Sequence, residues 1–189
     1  MKIEDNFLPE SLFNKIVLKL LGGTSPHSTF PLYYSASSVD YKEEDTRTNA
    51  RTEELERKHK LIEGNPAFFC HVFFDNYEIY SSYYTDIILP IVHTIKPKSI
   101  MKVKLNLNTY NGKGSHSGWH YDKGESPGYT TSILYLTTNE GGGTLLEDGT
   151  LIKPVANRFV SFYGDTLHTG LTETSPRETR ALINFNYVL

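Results

Sequence analysis

The stretch HYDKGESPGYTTSILYLTTNEGGGTLLEDG, residues 120–149, decides the expected fold. It holds two short segments rich in β-branched, aromatic and aliphatic residues, TTSILYLTT (130–138) and GTLLEDG (143–149), with Asn and Gly between them. Such segments, bounded by turn residues, are typical of strands in a sandwich or barrel. The stretch also begins with His120 and Asp122, two residue types that bind metal ions.

Segments of the same kind surround this stretch. Four further segments are predicted to be strands: FFCHVFFDN (68–76), MKVKLNLNTY (101–110), NRFVSFYG (157–164) and RALINFNYVL (180–189). A short strand is also expected near residues 32–34. The pattern predicts one α+β domain that is mainly β, with a jelly-roll core over residues 101–189 and a helical support and lid region over residues 1–100.

Two helices are expected in the first hundred residues. Glu10–Leu21 carries apolar side chains at helical spacing and is followed by Gly22 and Gly23, which end the helix. Ser81–Ile95 is predicted as a second helix with a kink at Pro90. The charged residues 40–63 favour a solvated loop or surface helix, and a mobile segment at a pocket mouth is the alternative.

Composition limits the classes of function. A chain of 189 residues with 38% hydrophobic and 22% charged residues suits one soluble domain with a sizeable core. The net charge of −3 gives no global reason to expect a polyanionic partner. Cys70 is the only cysteine, so metal ligands must be nitrogen and oxygen atoms. The start of the chain lacks the features of a signal peptide, and no segment has the length of a membrane span, which predicts a cytoplasmic location, in the host if the chain is viral.

A metal site is the main functional hypothesis. His120 and Asp122 are two residues apart, so on an extended segment both side chains face the same point. His168, just beyond the 157–164 strand, is the leading third ligand, while His116 is expected to face solvent or the pocket rim. Two imidazoles and one carboxylate leave coordination positions open, as in non-haem Fe(II) oxygenases. The alternative is a chance spacing, because the chain has seven histidines.

Arg180 opens the last predicted strand and shares one face with Leu182, Asn184 and Asn186. A guanidinium on the inner face of a barrel is costly unless it meets an anion, and a carboxylate is its natural bidentate partner. Arg180 could instead lie solvated at the strand end or pair with Glu173 or Glu178. Arg177 is a competing anion-binding candidate.

Taken together, these motifs resemble the prolyl 4-hydroxylase-like branch of the Fe(II)/2-oxoglutarate-dependent dioxygenase superfamily. EGGGTLLEDG resembles the GG-x-L hairpin of that family, and HTGLTETSPRETRALINFNY resembles its closing H-x-V-x-P…R-x-A-I…W segment. IEDNFLPESLFNKI resembles its opening strand and helix. The amino-acid sequence of the core strands is also similar to that of uncharacterised viral and marine bacterial members of the superfamily.

The resemblance implies a double-stranded β-helix, the jelly-roll barrel of cupins, in which His120, Asp122 and His168 bind Fe(II). It implies 2-oxoglutarate as cosubstrate, O2 as oxidant and a role for ascorbate as accessory reductant. The family positions for 2-oxoglutarate contacts correspond to Arg180, Tyr110 and Tyr135. Asn184 shares a face with Arg180 and could also hydrogen-bond the cosubstrate, or it could equally be a structural residue lining the barrel.

The implied activity is hydroxylation of a substrate C–H bond, with a peptidyl proline favoured, and release of succinate and CO2. Asn106, Asn108 and Asn186 depart from the family pattern in the region that faces the substrate. The alternatives are oxidation of a small molecule or nucleobase, or a non-catalytic metal-binding cupin-like module. A peptide or protein is therefore the favoured partner, and nucleic acid is disfavoured because no basic stripe accompanies an aromatic platform.

Overall fold

A computed structural model describes residues 1–22, 30–36, 46–61, 66–110, 115–124, 127–172, 175–176 and 178–189. Its helices are α1 (Glu10–Leu21), α2 (Thr46–His59) and α3 (Leu89–Ile95), with a π-helical turn at Tyr84–Ile88 directly before α3. Its strands are β1 (Lys2–Glu4), β2 (Tyr33–Ser35), β3 (Phe68–Asp75), β4 (Glu78–Ile79), β5 (Ser99–Thr109), β6 (Thr130–Tyr135), β7 (Gly143–Leu146), β8 (Leu151–Ile152), β9 (Phe159–Tyr163), β10 (His168–Leu171) and β11 (Thr179–Val188).

The strands form two antiparallel sheets. The larger sheet has the order β1-β9-β6-β11-β5-β3-β2, with β4 paired to β3, and the smaller sheet has the order β10-β7-β8. The long strands β5 and β11 lie side by side, with Arg180 opposite Asn108 and Asn184 opposite Lys104. This arrangement confirms the predicted mainly β, double-stranded β-helix fold.

The two faces of the large sheet differ in chemistry. Along β5, Val103 and Leu105 are fully buried in the main apolar core, which also contains buried residues of α1 and α3. The alternate residues of β5 are polar and line a cavity, and residues of the smaller sheet line it as well. One face of the large sheet therefore packs in the apolar core, and the opposite face is available for a functional site.

The bounds of the helices largely agree with those predicted from the sequence. α1 has the predicted bounds, and Gly22 ends it in the left-handed conformation at φ 74°, where glycine carries no steric cost. The second predicted helix is divided into the π-helical turn and α3. Pro90 lies in the first turn of α3, where its missing N–H removes no intrahelical bond.

The charged segment around residues 40–63 contains the surface helix α2. Leu55 of α2 is buried against Trp119, Leu145 and Leu167. Arg51 of α2 donates a hydrogen bond to Glu147. A lid function for this segment stays a prediction, and residues 40–45 and 62–63 lie outside the described part of the chain.

The first hundred residues supply strands as well as helices. β1 pairs with β9, and β3 pairs with β5, so both join the large sheet. The division into a support region (1–100) and a core (101–189) within one domain stays a prediction. Within the described residues, no helix has both the length and the apolar character needed to span a membrane.

Candidate metal and cosubstrate site

The structure brings His120, Asp122 and His168 together. His120 and Asp122 lie in the segment between β5 and β6, and His168 begins β10. A β-bridge joins the two histidines, with His120 N donating to His168 O at 3.0 Å and His168 N donating to His120 O at 3.2 Å. The bridge places the imidazoles side by side, with ring centroids 4.7 Å apart.

Hydrogen bonds to backbone carbonyls orient both imidazoles toward Asp122. Nδ1 of His120 lies 2.9 Å from Gly118 O, and Nδ1 of His168 lies 3.0 Å from Thr166 O. A carbonyl can only accept, so Nδ1 carries the proton and each Nε2 keeps a free lone pair. These Nε2 atoms lie 3.9 Å from Asp122 Oδ1 and 3.8 Å from Asp122 Oδ2.

Asp122 is held as a carboxylate by hydrogen bonds. Its Oδ2 accepts from Thr131 Oγ1 at 3.1 Å, from Asn184 Nδ2 at 3.1 Å and from Asn186 Nδ2 at 3.0 Å. Burial alone would raise its pKa, but the two imidazoles and the two amides outweigh burial and lower the pKa of Asp122 to about 2. Burial, reinforced by His168, lowers the pKa of His120 to about 4. At neutral pH the set is therefore one carboxylate and a neutral His120.

This donor set fits a divalent transition metal. The potential ligand atoms all lie within 4.8 Å of one another, so one ion can contact all three. Two imidazole nitrogens and one carboxylate on one side of the ion are the ligands of non-haem Fe(II) enzymes, which keep the remaining positions open. The backbone partners of both Nδ1 atoms also fix the ring orientation, as is usual for metal-binding histidines.

Arg180 lies buried in the wall of the same cavity and is 5% exposed. Its Nη1 donates to Asn108 Oδ1 at 3.4 Å and its Nη2 donates to Thr144 Oγ1 at 2.9 Å. Both partners are neutral, Nε has no hydrogen-bond partner, and Arg180 forms no ion pair with a residue of the described chain. Because a buried cation is costly without an anion, this environment fits the carboxylate of a cosubstrate. The competing Arg177 lies outside the described residues.

Of the other three predicted cosubstrate residues, Asn184 lines the cavity, whereas Tyr135 and Tyr110 are not among its described lining residues. Tyr135 is fully buried, and its hydroxyl lies 2.7 Å from Thr144 Oγ1 rather than in the cavity wall. Tyr110 is half-buried just after β5 and is not among the described residues that line the cavity. Asn184 does line the cavity, and its amide nitrogen donates to Asp122. The cosubstrate contacts proposed for these three residues stay predictions.

The expectation that His116 faces solvent or the pocket rim is wrong. His116 is 2% exposed, its Nδ1 accepts from Gly118 N at 3.1 Å, and its Nε2 lies 3.4 Å from Glu56 Oε1. The reason is that α2, which carries Glu56, packs over the segment that contains His116. His116 is thus a structural neighbour of the site and is separate from the ligand set.

Sequence patterns alone did not identify several of the residues that line the cavity. Thr144 bridges Arg180 and Tyr135, and its position in the GGGTLL hairpin was the available signal. Ser117 Oγ accepts from Gly170 N at 2.8 Å beside the guanidinium of Arg180. Lys102 and Lys104 line the cavity with Asn106 and Asn108 on alternate positions of β5. The full cavity of about 260 Å³ is more polar than a typical ligand pocket and smaller than the ~300–1,000 Å³ of such pockets.

We expect Asn186 to act as a positioning residue for Asp122. Replacing Asn186 by leucine removes one hydrogen bond to Asp122 Oδ2 and should weaken Fe(II) or Co(II) binding about 10- to 100-fold, the usual cost of losing a hydrogen bond to a metal ligand. Anaerobic metal titration measures this change. Ser132→Ala is the matched control, because Ser132 is also buried on the large sheet but bonds Ser161 and Tyr187 instead. Equal metal affinity in Asn186→Leu and Ser132→Ala would contradict the role.

Comparisons with known proteins agree with this geometry. Residues 105–188 match the model of the 2OG-Fe(II) oxygenase superfamily. No curated protein sequence matches the chain significantly. The chain is similar to the structure of an oxidoreductase of the 2OG-Fe(II) oxygenase family from Burkholderia pseudomallei, at 13% identity, 93% coverage of this chain and 90% of that chain, and a TM-score of 0.53.

Two further solved structures are similar. The non-heme alpha-ketoglutarate-dependent epimerase SnoN from nogalamycin biosynthesis is 9% identical, with 95% of this chain and 84% of that chain covered and a TM-score of 0.51. The viral collagen prolyl hydroxylase from Paramecium Bursaria Chlorella virus-1 is 15% identical, with 100% and 96% covered and a TM-score of 0.45. At these identities, the likeness to the Burkholderia protein and to the epimerase shows a shared fold.

Proposed function

We propose that this chain is a member of the 2OG-Fe(II) oxygenase superfamily, whose model matches residues 105–188, and that it hydroxylates a substrate C–H bond, with a peptidyl proline as the first candidate. Membership would imply Fe(II), 2-oxoglutarate and O2, and it would make the chain a 2-oxoglutarate-dependent dioxygenase. The observation that carries the proposal is a metal-binding triad and a buried arginine without an anionic partner among the described residues, in the wall of one cavity.

Different residues would bind the metal ion and the cosubstrate. His120, Asp122 and His168 would hold Fe(II), and the hydrogen bonds of Asn184, Asn186 and Thr131 keep Asp122 in place. Arg180 would bind the distal carboxylate of 2-oxoglutarate, beside Thr144 and Asn108. The chemistry supplied by the bound Fe(II) and 2-oxoglutarate is oxidative decarboxylation to succinate and CO2, coupled to oxygen insertion into the substrate.

Two residues would prepare the site before oxygen arrives. The low pKa of Asp122 keeps it anionic, and the low pKa of His120 leaves its Nε2 available to the metal without loss of a proton at neutral pH. The protein would thus contribute ligand orientation, charge and shape.

Proline is the first candidate because the motifs of the chain resemble the prolyl 4-hydroxylase-like branch. A small molecule is the second candidate, and the limited and polar cavity of about 260 Å³ favours it. A non-catalytic metal-binding module is the candidate of a different class. A closed structural site would have no use for a buried Arg180 that lacks an anionic partner within the described part of the chain, which supports an enzyme instead.

The test is succinate formation from 2-oxoglutarate with Fe(II), in the wild-type chain and in His168→Ala. We expect Fe(II)-dependent succinate from the wild type and less than about 1% of it from His168→Ala, because a ligand is lost. Proline-containing peptides, the same peptides with alanine for proline, and nucleosides are then screened for a mass gain of one oxygen. Absence of Fe(II)-dependent turnover would favour the binding module, and oxygen gain only in a non-peptide would overturn the proline candidate.

A further inference from the structure

The cavity contains two lysines that the metal and cosubstrate leave unused. Lys102 and Lys104 lie on β5 in register with Asn186 and Asn184 of β11, beside the triad. Arg180 lies opposite Asn108, four residues further along β5 from Lys104, which is about 13 Å of strand. The ionisable groups that act on Lys104 are Lys102, Asp122, Asp75 and Cys70. The lysines therefore form a second cationic region, next to the triad and separate from the Arg180 end.

Lys104 is held in a position that suits an incoming anion. Its Nζ lies 4.6 Å from the centroid of the Phe68 ring, a cation–π contact that keeps the ammonium inside the cavity. Lys104 forms no ion pair with any residue that the structure describes, and neither does Lys102. Burial lowers the pKa of Lys104, so keeping the ammonium here costs free energy that an anion would recover. Asp75 is already paired with Lys123 at 2.6 Å.

A charge balance indicates which molecule supplies that anion. In the proposed complex, the charges of Fe(II), Asp122, Arg180 and the 2-oxoglutarate dianion cancel. Within the described residues, the two lysines then remain in the cavity without an ion-pair partner, and the primary substrate is the component still missing. Between Lys104 and Asn108 lies Asn106, whose buried Oδ1 has no hydrogen-bond partner among the residues that the structure describes and could accept from a substrate N–H.

We propose that Lys104, supported by Lys102, binds an anionic group of the primary substrate, so that the substrate carries a carboxylate or phosphate near the hydroxylated carbon. This inference rests on the proposed function and deepens it. Lys104 is then a substrate-specificity residue, and Asn106 accepts a hydrogen bond from an amide or amine of the same substrate. For a peptide, the anion is an acidic or phosphorylated side chain, and for a free amino acid it is the carboxylate.

The experiment measures binding to the anaerobic Fe(II)/2-oxoglutarate protein by calorimetry, with matched pairs of probes. The pairs are Ac-Asp-Pro-Gly-NH2 and Ac-Asn-Pro-Gly-NH2, Ac-phosphoSer-Pro-Gly-NH2 and Ac-Ser-Pro-Gly-NH2, and N-acetylproline and its amide. We expect the anionic member of at least one pair to bind roughly ten- to hundredfold more tightly, the usual gain from a charged hydrogen bond. The pair that shows the preference identifies the source of the anion.

Lys104→Met should remove that preference and leave the affinity for 2-oxoglutarate unchanged, since Arg180 is intact. Lys153→Met is the matched control, because Lys153 is exposed and lies outside the cavity wall. Equal binding of the members of every pair, or binding of none, would overturn the proposal. A rise in the dissociation constant of 2-oxoglutarate in Lys104→Met would also overturn it, because Lys104 would then bind the cosubstrate.

Failure of this inference is distinguishable from failure of the proposed function. Succinate formation in the absence of any primary substrate tests the metal and cosubstrate site alone. If wild-type protein and Lys104→Met both form succinate while no anionic preference is found, the dioxygenase proposal stands and the substrate inference falls. If neither protein binds Fe(II) and 2-oxoglutarate, both proposals fall.

Discussion

Asp122→Ala is expected to lose metal binding and turnover almost completely. The carboxylate is the only anionic member of the triad, and it lies within 3.9 Å of one imidazole Nε2 and 3.8 Å of the other. Its loss should weaken Fe(II) binding by at least about 100-fold, beyond the 10–100-fold cost of losing a supporting hydrogen bond. Succinate formation should fall below about 1% of wild type. Anaerobic Fe(II) titration and the succinate assay measure the two effects.

The same substitution removes the acceptor that Thr131, Asn184 and Asn186 share. Each buried donor left without an acceptor should destabilise the folded protein by about 1–3 kcal/mol. Asp122→Asn is therefore made in parallel, because it keeps the shape and removes the charge. Asp148→Ala is the control, since Asp148 accepts a hydrogen bond from Thr150 N in the turn between β7 and β8. Chloride is left out of the buffer, because a small anion can fill the position that alanine opens. Fe(II) affinity in folded Asp122→Ala or Asp122→Asn equal to that of Asp148→Ala would show that Asp122 is not a ligand.

The long strands could be predicted because each carries enough alternation to define two faces. β5 and β11 have 11 and 10 residues, and both lie within a residue or two of their predicted bounds. β1, β4, β8 and β10 have two to four residues, which is too short for a periodic pattern. The pairing partners of β1 and β10 are in addition not adjacent in sequence. β10 in particular pairs with β7, and this pairing carries His168 to its place.

The pairing of His120 with Asp122 could be predicted from spacing, but the groups that support Asp122 could not. His120 and Asp122 lie on one short segment, whereas the amides that hold Asp122 come from β11, more than sixty residues later. The burial of His116 depends on α2, whose charged sequence gives no indication of what it covers. The orientation of Lys104 could not be predicted for a different reason. A lysine on a strand usually faces solvent, and only its alternation with Asn106 and Asn108 indicated the cavity side.

Arg180→Met is expected to separate cosubstrate binding from protein stability. If Arg180 binds the distal carboxylate of 2-oxoglutarate, removing the guanidinium loses a buried charged pair worth about 2–5 kcal/mol. At 1.36 kcal/mol per tenfold, the dissociation constant of 2-oxoglutarate should rise roughly 30-fold to several thousand-fold. Arg180→Lys should fall between Met and wild type, because an ammonium keeps the charge and loses the bidentate geometry.

The stability of the ligand-free protein gives the second readout. Among the described residues, Arg180 has only Asn108 and Thr144 as hydrogen-bond partners and its Nε has none, so an apolar side chain of similar length relieves a buried charge. The thermal midpoint of ligand-free Arg180→Met should therefore equal or exceed that of wild type, while added 2-oxoglutarate stabilises only the wild type. Arg177→Ala is measured beside it as the competing candidate. A lower midpoint with unchanged 2-oxoglutarate affinity in Arg180→Met, or a loss of affinity in Arg177→Ala alone, would mean that Arg180 is a structural residue.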